Sequence, residues 1–441
     1  MRSAFLTAVF LYLILLGLSY PFVAGLAYIW VDIVKPQYLA YSIINGQPLA
    51  LIAAVTALVA YLFRGEKGSF KFTHVMLLLC FLGGWMTFTA FNADPRIQSW
   101  IKWDWAFKVV MFTVFIPMIF RSRVHLEALI LTILFSVATI SLSAGVKTAM
   151  GGGGYGVLAI MGGGNAGLSE SSTLAAVCVM QLPLLHYVYN HTVIFRESKL
   201  FKLLILLIAS TTILAIIGTS ARTGVIAGAF LLLSYLIRSK HKILWGILLA
   251  LAFGIAQTQD LANTAWGSRM STINSYDKES SASGRIKVWE WTLEFVAENP
   301  LGGGFDAYKL NRIASVSSSG AITYYEPGIL DGKAFHNIYF EVLGEQGFIG
   351  FAAYMTILIL TLLRLRKIRI YADEHAEMAW ANDLAIKLRD ALTALMVGGM
   401  FIGIAYQPYI FYMVAITISL GQLLLNESAA TNTSKENANK S

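Results

Sequence analysis

Long apolar runs alternate with short polar joints along almost the whole of the 441-residue chain. A helix that crosses a bilayer needs roughly 20 mostly apolar residues. Twelve stretches fit that description: 4–30, 45–63, 73–91, 105–120, 124–146, 170–190, 201–218, 221–237, 242–258, 342–363, 384–404 and 407–425. The first is overlong and is interrupted by Ser19, Tyr20 and Pro21, which predicts two short helices that together cross once. The pattern predicts an all-α polytopic membrane protein of about twelve spans. It divides into 1–258 (spans one to nine), 259–341 (a large outer loop), 342–426 (spans ten to twelve) and a polar tail, 427–441.

Composition agrees with the pattern. Hydrophobic residues make up 57% of the chain and charged residues only 13%, with a mean hydropathy of +0.64, about half the charge of a soluble domain. The basic residues also fall unevenly. The joints at 64–71, 121–123, 196–202, 238–242 and 364–369 are rich in Lys and Arg, whereas the short joints on the opposite face carry only Lys35, Arg96, Lys102, Lys108, Lys147 and Arg222. The rule that basic joints stay inside makes the first set cytoplasmic and puts both termini there. Much of the net charge of +8 is this bias, so the basic balance argues for membrane topology and against nucleic acid. The first apolar run lacks a small-residue cleavage site, so no cleavable leader is expected. The tail, rich in Asn, Ser, Thr and Lys, reads as disordered. Cys80 and Cys178, each alone in a span, read as small buried apolar residues.

The loop 259–341 breaks the helical pattern. It holds the turn-rich segments "SYDKESSASG", "NPLGGGFDAY" and "ASVSSSGAITYYEPG", and an exposed connection longer than about 15 residues is uncommon without a purpose. Within it, "GRIKVWEWTLEFVAENP" (284–300) puts Ile286, Trp289, Leu293 and Val296 near one helical face, with Ser283 as a cap and Pro300 as a stop. A short amphipathic helix on the membrane surface is expected. A second irregular segment on the same side, "MGGGGYGVLAIMGGGNAGLSESS" (150–172), is either a flexible loop or a place where backbone approaches a ligand closely.

Topology sorts the candidate chemistry. Of seven histidines, only His336 falls on the outer side, where Arg222, Arg269 and Arg285 also lie. An interfacial histidine is ordinarily a hydrogen-bonded structural residue, and an arginine at the mouth of a span ordinarily snorkels to water. Their gathering on one side points further. Guanidinium groups offer a planar, permanently charged fork for phosphate oxygens, and an imidazole suits removal of a hydroxyl proton. No closely spaced carboxylates or histidines on that face resemble a metal site, so neither metal nor cofactor is expected.

Four motifs, "TSARTGVIAGAFLLL" (219–233), "SRMSTI" (268–273), "SGRIKVWEW…ENPLGGGF" (283–305) and "HNIYFEVLGEQGFIG" (336–350), occur in the order seen in the O-antigen ligase and polymerase superfamily, which this chain resembles. The front end, "PFVAGLAYIWVDIVKP" (21–36) and "GGWMTFTAFNADP" (83–95), is similar to O-antigen ligases and exosortase-associated O-glycosylation ligases. The resemblance implies a metal-independent inner-membrane glycosyltransferase of GT-C type. Such enzymes take glycan from undecaprenyl pyrophosphate on the periplasmic face, here for lipid A core oligosaccharide as acceptor. It implies His336 as the base and Arg222, Arg285 and Arg269 as pyrophosphate ligands. A polymerase, or a ligase acting on protein hydroxyls, would use the same residues. A transporter of lipid-linked glycan, without chemistry, would need ionisable residues deep in its spans, where Glu127 is the clearest instance.

Overall fold

The computed structural model describes residues 1–64, 70–95, 97–151, 168–240, 242, 246, 280–313, 315–316, 322–323 and 332–438. The described residues form a helical membrane protein: α1 (Arg2–Gly17), α2 (Pro21–Val34), α3 (Pro36–Leu39), α4 (Leu49–Arg64), α5 (His74–Phe91), α6 (Ser99–Ile119), α7 (Arg123–Ala149), α8 (Ser171–His191), α9 (Lys199–Gly218), α10 (Arg222–Arg238), α11 (Ser280–Glu298), α12 (Ile338–Asp373), α13 (Ala379–Gly398) and α14 (Pro408–Ala438). The one departure from helix is an antiparallel ladder of two residues a side, β1 (Ser315–Val316) on β2 (Ile322–Thr323). The sequence pattern expects twelve crossings. Among the described residues, six helices are long and apolar enough to cross, with α1, α2 and most of α4 as shorter apolar helices. The stretch 242–258 lies almost wholly outside the described residues.

The two ends of the bundle differ in chemistry. At the basic end, Thr73, Ser122 and Ser198 cap α5, α7 and α9 by accepting from Met76, His125 and Phe201 N–H groups at 3.4, 3.2 and 3.2 Å. Glu127, the ionic residue that stood out in a span, is buried there. It accepts from the Thr192 hydroxyl and from the backbone of Val193 (2.7 Å) and Ile194 (3.0 Å). It ties down the joint after α8 and satisfies two backbone donors that the bilayer would leave unpaired.

Two expectations change. The first apolar stretch does not cross once. Its α1 and α2 form an out-and-back pair, because the start of α1 returns to the far end of α2, where Ser3 Oγ accepts from Tyr41 N at 2.9 Å and Arg2 stacks over the Tyr41 ring at 4.4 Å. Phe22, at the start of α2, stacks on His125 at the basic end. Met1 therefore sits at the end opposite the basic joints, and the two termini are not on one face. The cause is the Leu18–Pro21 turn, with Gly17 packed directly on Ala24. The second change concerns the tail, because the backbone of α14 stays helical through Ala438. Propagating a helix already nucleated by a buried span costs little even for polar residues.

The end opposite the basic joints is organised around a break in α12. Gly347 has φ 64° and ψ −168°, non-helical values that interrupt the i→i−4 ladder. Each freed backbone group finds a partner in the turn after α11 or on α5. Gly303 N–H donates to Gly344 O (3.0 Å), Gly304 N–H to Glu345 O (2.9 Å) and the Trp85 indole to Gln346 O (2.8 Å), while Phe348 N–H donates to Pro300 O (3.0 Å). The turn can lie this close because Gly302 and Gly304 hold φ of 91° and 80° and carry no Cβ. A side chain at 347 would strike Pro300 O and the Leu301–Gly302 backbone. Gly347→Ala is therefore expected to lose stability by about 2 kcal/mol or more, from left-handed strain and displacement of the turn. Gly84→Ala, which meets open space within α5, should be neutral. Thermal unfolding of the two purified variants beside wild type checks this.

Candidate functional site

His336 sits where this framework meets solvent. The three residues before it are pinned from several sides. Asn311 Nδ2 donates to Lys333 O at 2.8 Å, Lys333 N–H donates back to Asn311 Oδ1 at 3.1 Å, and the Trp289 indole donates to Phe335 O at 2.9 Å. Behind it, Asn337 caps α12 by accepting from Tyr339 N (2.8 Å) and Phe340 N (3.3 Å). His336 itself is held at φ 47°, in the left-handed region that a side-chain-bearing residue adopts at a cost of roughly 1 kcal/mol or more. The surroundings over-determine that strained geometry and aim the imidazole.

The helix α11 supplies the charges. The expected amphipathic helix exists, starting at Ser280, and besides the face expected at the membrane it carries a second stripe packed on protein. Val288, Thr292 and Val296 are 0% exposed against α12, whereas Ile286 and Leu293 are 43% and 54% exposed. The small Gly284 and Thr292 let α11 approach Lys333 and Gly344 closely, and Trp289 lies flat on Phe340 at 5.2 Å. α11 is thus docked on protein along the Val288–Val296 stripe, and Ile286 and Leu293 are the face left for lipid.

This docking brings Arg285 and Lys333 to His336. Burial first, then the charges of Arg285 and Lys333, push the imidazole down to about pKa 4. Lys333 is likewise lowered, by burial and then by Arg285 and Lys287. Among the described residues none of these three cations is ion-paired with a carboxylate. The site is a concentration of unneutralised positive charge around an imidazole that stays neutral at ordinary pH. The sequence pattern did not single out Lys333, which lies three residues before His336 and just outside the 336–350 motif.

Arg222 opens α10 at the same end. The turn before it uses another left-handed residue, Ser220 at φ 49°, and Thr219 Oγ1 accepts from Ala221 N at 3.3 Å. α10 and α12 meet through the corner that ends α13. Thr223 and Ala227 pack on Gly398, Ile338 packs on Gly399, and the Tyr339 hydroxyl donates to Met396 O at 3.1 Å. Arg222 and His336 thus flank one glycine corner, while Arg285 and Lys333 are the cations that press on the imidazole. Arg269 lies outside the described residues, as do residues 152–167 of the glycine-rich segment.

A buried ionic cluster underlies the site. Lys102 of α6 donates to Glu341 and Glu345 of α12, each at 2.7 Å, and lies 3.8 Å from Asp306. Glu341 also accepts from Ala405 N (3.0 Å), and Glu345 from Asp306 N (2.9 Å). This cluster locks the first two turns of α12 to α6 and to the 300–306 turn. It was not anticipated from the sequence, because its members are dispersed between 102 and 345.

A multi-helix membrane protein with a cluster of half-buried cations at one end is suited to binding an anion. Comparison with known proteins agrees. Residues 203–355 match the family described as O-antigen ligase, in line with the resemblance its motifs carry. Residues 1–193 match a family of unknown function. No curated protein and no solved structure matches the chain.

The electrostatics give a direct expectation. Acylation of His336 by diethyl pyrocarbonate, followed peptide by peptide in a mass spectrometer, should report a midpoint near pH 4. In Arg285→Gln it should move upward, because one repelling charge is gone. A wild-type midpoint near 6.5, the ordinary value for a solvated imidazole, would overturn the assignment.

Proposed function

We propose that this protein is a metal-independent glycosyltransferase of the bacterial inner membrane, of GT-C type with about twelve crossings. It moves a glycan from undecaprenyl pyrophosphate to a sugar hydroxyl of lipid A core oligosaccharide on the periplasmic face. The observation that carries this reading is the set of Arg285, Lys287 and Lys333, without a carboxylate partner among the described residues, beside a neutral His336 at one end of a membrane bundle. The ligase family match over residues 203–355 supports glycan transfer as the reaction class.

In the proposed step, the sugar–oxygen bond to the pyrophosphate breaks and the leaving group takes the electron pair. The acceptor oxygen forms the new bond to the sugar, and its proton passes to His336. The pyrophosphate leaves as a stable anion, so the donor side needs charge neutralisation, not a proton. Arg285, Lys333 and Arg222 are assigned that task, with Arg269 alongside them. Guanidinium forks suit it because they bind phosphate oxygens in pairs.

The charges around His336 give it a second property. With the site empty, burial first and then the cations hold the imidazole at about pKa 4, a weak base. A pyrophosphate seated among them offsets their repulsion, so the base strengthens once donor is bound. The base is poised when there is a glycan to transfer and remains weak otherwise.

Reconstituted protein, given undecaprenyl pyrophosphate glycan and lipid A core, nascent glycan or protein acceptors in separate reactions, should modify the lipid A core. Modification of one of the other two instead would reassign it as a polymerase or a protein ligase. His336→Ala should abolish transfer and leave the protein folded. Arg285→Lys and Arg222→Lys should each cost roughly tenfold or more in kcat/KM, since a point charge does not reproduce the fork. Activity should survive excess EDTA. Rates should fall as pH drops through the pKa of His336. The acid limb of kcat/KM, which reads the free enzyme, should therefore lie near pH 4, with that of kcat, which reads the complex, at higher pH. Coincident limbs would sink the donor-strengthened base.

A further inference from the structure

At the basic end, opposite His336, a cavity of about 260 Å³ opens between α12 and α14, lined by Arg364, Lys367, Ile368, Tyr371, Gly421 and Leu424, with Leu425 at its edge. Three observations give it a ligand. First, the Arg364 Nε is buried and has no hydrogen-bond partner. The guanidinium lies across Gly421, where any side chain would displace it, and an unsatisfied buried donor on a charged group costs roughly 1–3 kcal/mol or more. Second, among the described residues neither Arg364 nor Lys367 has a carboxylate partner, unlike Arg238, which donates to Asp390 at 2.8 Å in the same half of the bundle. Third, the walls beside the cations are apolar and face lipid. Leu363, Ile370 and Leu425 are exposed on this surface, while Ile368 and Leu424 are buried within it.

The depth of the cavity fits a headgroup. Gln422, next to Gly421, donates its amide to the Lys71 carbonyl in the basic joint before α5, which places this level at the membrane boundary. Tyr371, one turn beyond Lys367, offers the amphipathic ring typical of that boundary.

We propose that this cavity binds the headgroup of an anionic phospholipid. The phosphate takes the unpartnered Arg364 Nε–H and Lys367 supplies a second charge, with the acyl chains running along Leu363 toward the bilayer centre. Two unneutralised cations discriminate against zwitterionic lipid, whose headgroup would bring a third positive charge. Basic pockets between spanning helices hold acidic lipids by this means. The inference concerns the end remote from His336 and does not depend on the reaction proposed there.

The test uses the full-length protein in detergent, titrated with phosphatidylglycerol, phosphatidylcholine or inorganic phosphate and read by native mass spectrometry and thermal unfolding. Phosphatidylglycerol should bind saturably and raise the unfolding midpoint, with the other two giving little. Lys367→Gln removes an exposed charge and leaves the fold intact, so it should weaken binding roughly fivefold. Arg364→Gln should do so at least as strongly. Gly421→Leu, which fills the cavity, should abolish the bound copy. Equal shifts from phosphatidylglycerol and phosphatidylcholine, an effect reproduced by inorganic phosphate alone, or unchanged affinity in Lys367→Gln would each overturn the proposal.

Discussion

The end of this protein opposite the basic joints depends on the bond exchange across the break at Gly347. A helix cannot be interrupted in a membrane protein without finding partners for the backbone groups it releases. Here the loop supplies them. Pro300, Gly303 and Gly304 accept or donate where α12 would have bonded to itself, and Trp85 takes the remaining carbonyl. The consequence reaches beyond the break. The turn that fills it is the continuation of α11, so the position of Arg285 relative to His336 is fixed by main-chain hydrogen bonds on one side and by Trp289 on the other. The glycines of "ENPLGGGF" and "GEQGFIG" belong to one device, split between two distant motifs.

That rigidity matters because the site works by repulsion. Bringing Arg285, Lys287 and Lys333 close together is unfavourable, and so is the left-handed backbone at His336. Both costs are offset elsewhere, in the α11–α12 contact and in the Lys102 cluster beneath. An anion entering the pocket relieves the electrostatic part, which is what a binding site for a phosphorylated lipid requires: the free energy stored in unpaired cations becomes binding energy.

Much of this was legible in the chain. The apolar periodicity located nearly every described span, because each carries its own hydrogen bonds and needs no partner to be recognised. α10 begins at Arg222 itself, and the histidine stands at the boundary where a polar stretch gives way to α12. The illegible parts were relational. Whether α1 doubles back on α2 depends on Gly17 meeting Ala24, which hydropathy does not encode. The protein-facing stripe of α11, through Val288 and Thr292, was not visible, because it packs on another helix whose glycine and aromatic residues set the contact. Lys333 was hidden by the search for guanidinium groups, and Lys102 by the separation in sequence between it and its partners.

The charges within the bundle separate into two kinds. Lys102 is held by Glu341 and Glu345, Arg238 by Asp390, and Glu127 by a hydroxyl and two backbone N–H groups. Each lies in a low-dielectric setting where an unpaired charge would be costly, and each is neutralised in place. Such groups tie helices together and are spent in doing so. Arg285, Lys287 and Lys333 at one end, and Arg364 and Lys367 at the other, lie close to water or headgroups, where an unmatched charge costs less, and none has a carboxylate partner among the described residues. Ionisable residues alone would not distinguish transport from transfer in a membrane chain. Whether the protein satisfies them itself does, because only an unsatisfied group retains free energy for a ligand. By that criterion the contacts of Lys102, Arg238 and Glu127 are structural, and the two groups of cations at the ends of the bundle are the places suited to a charged ligand.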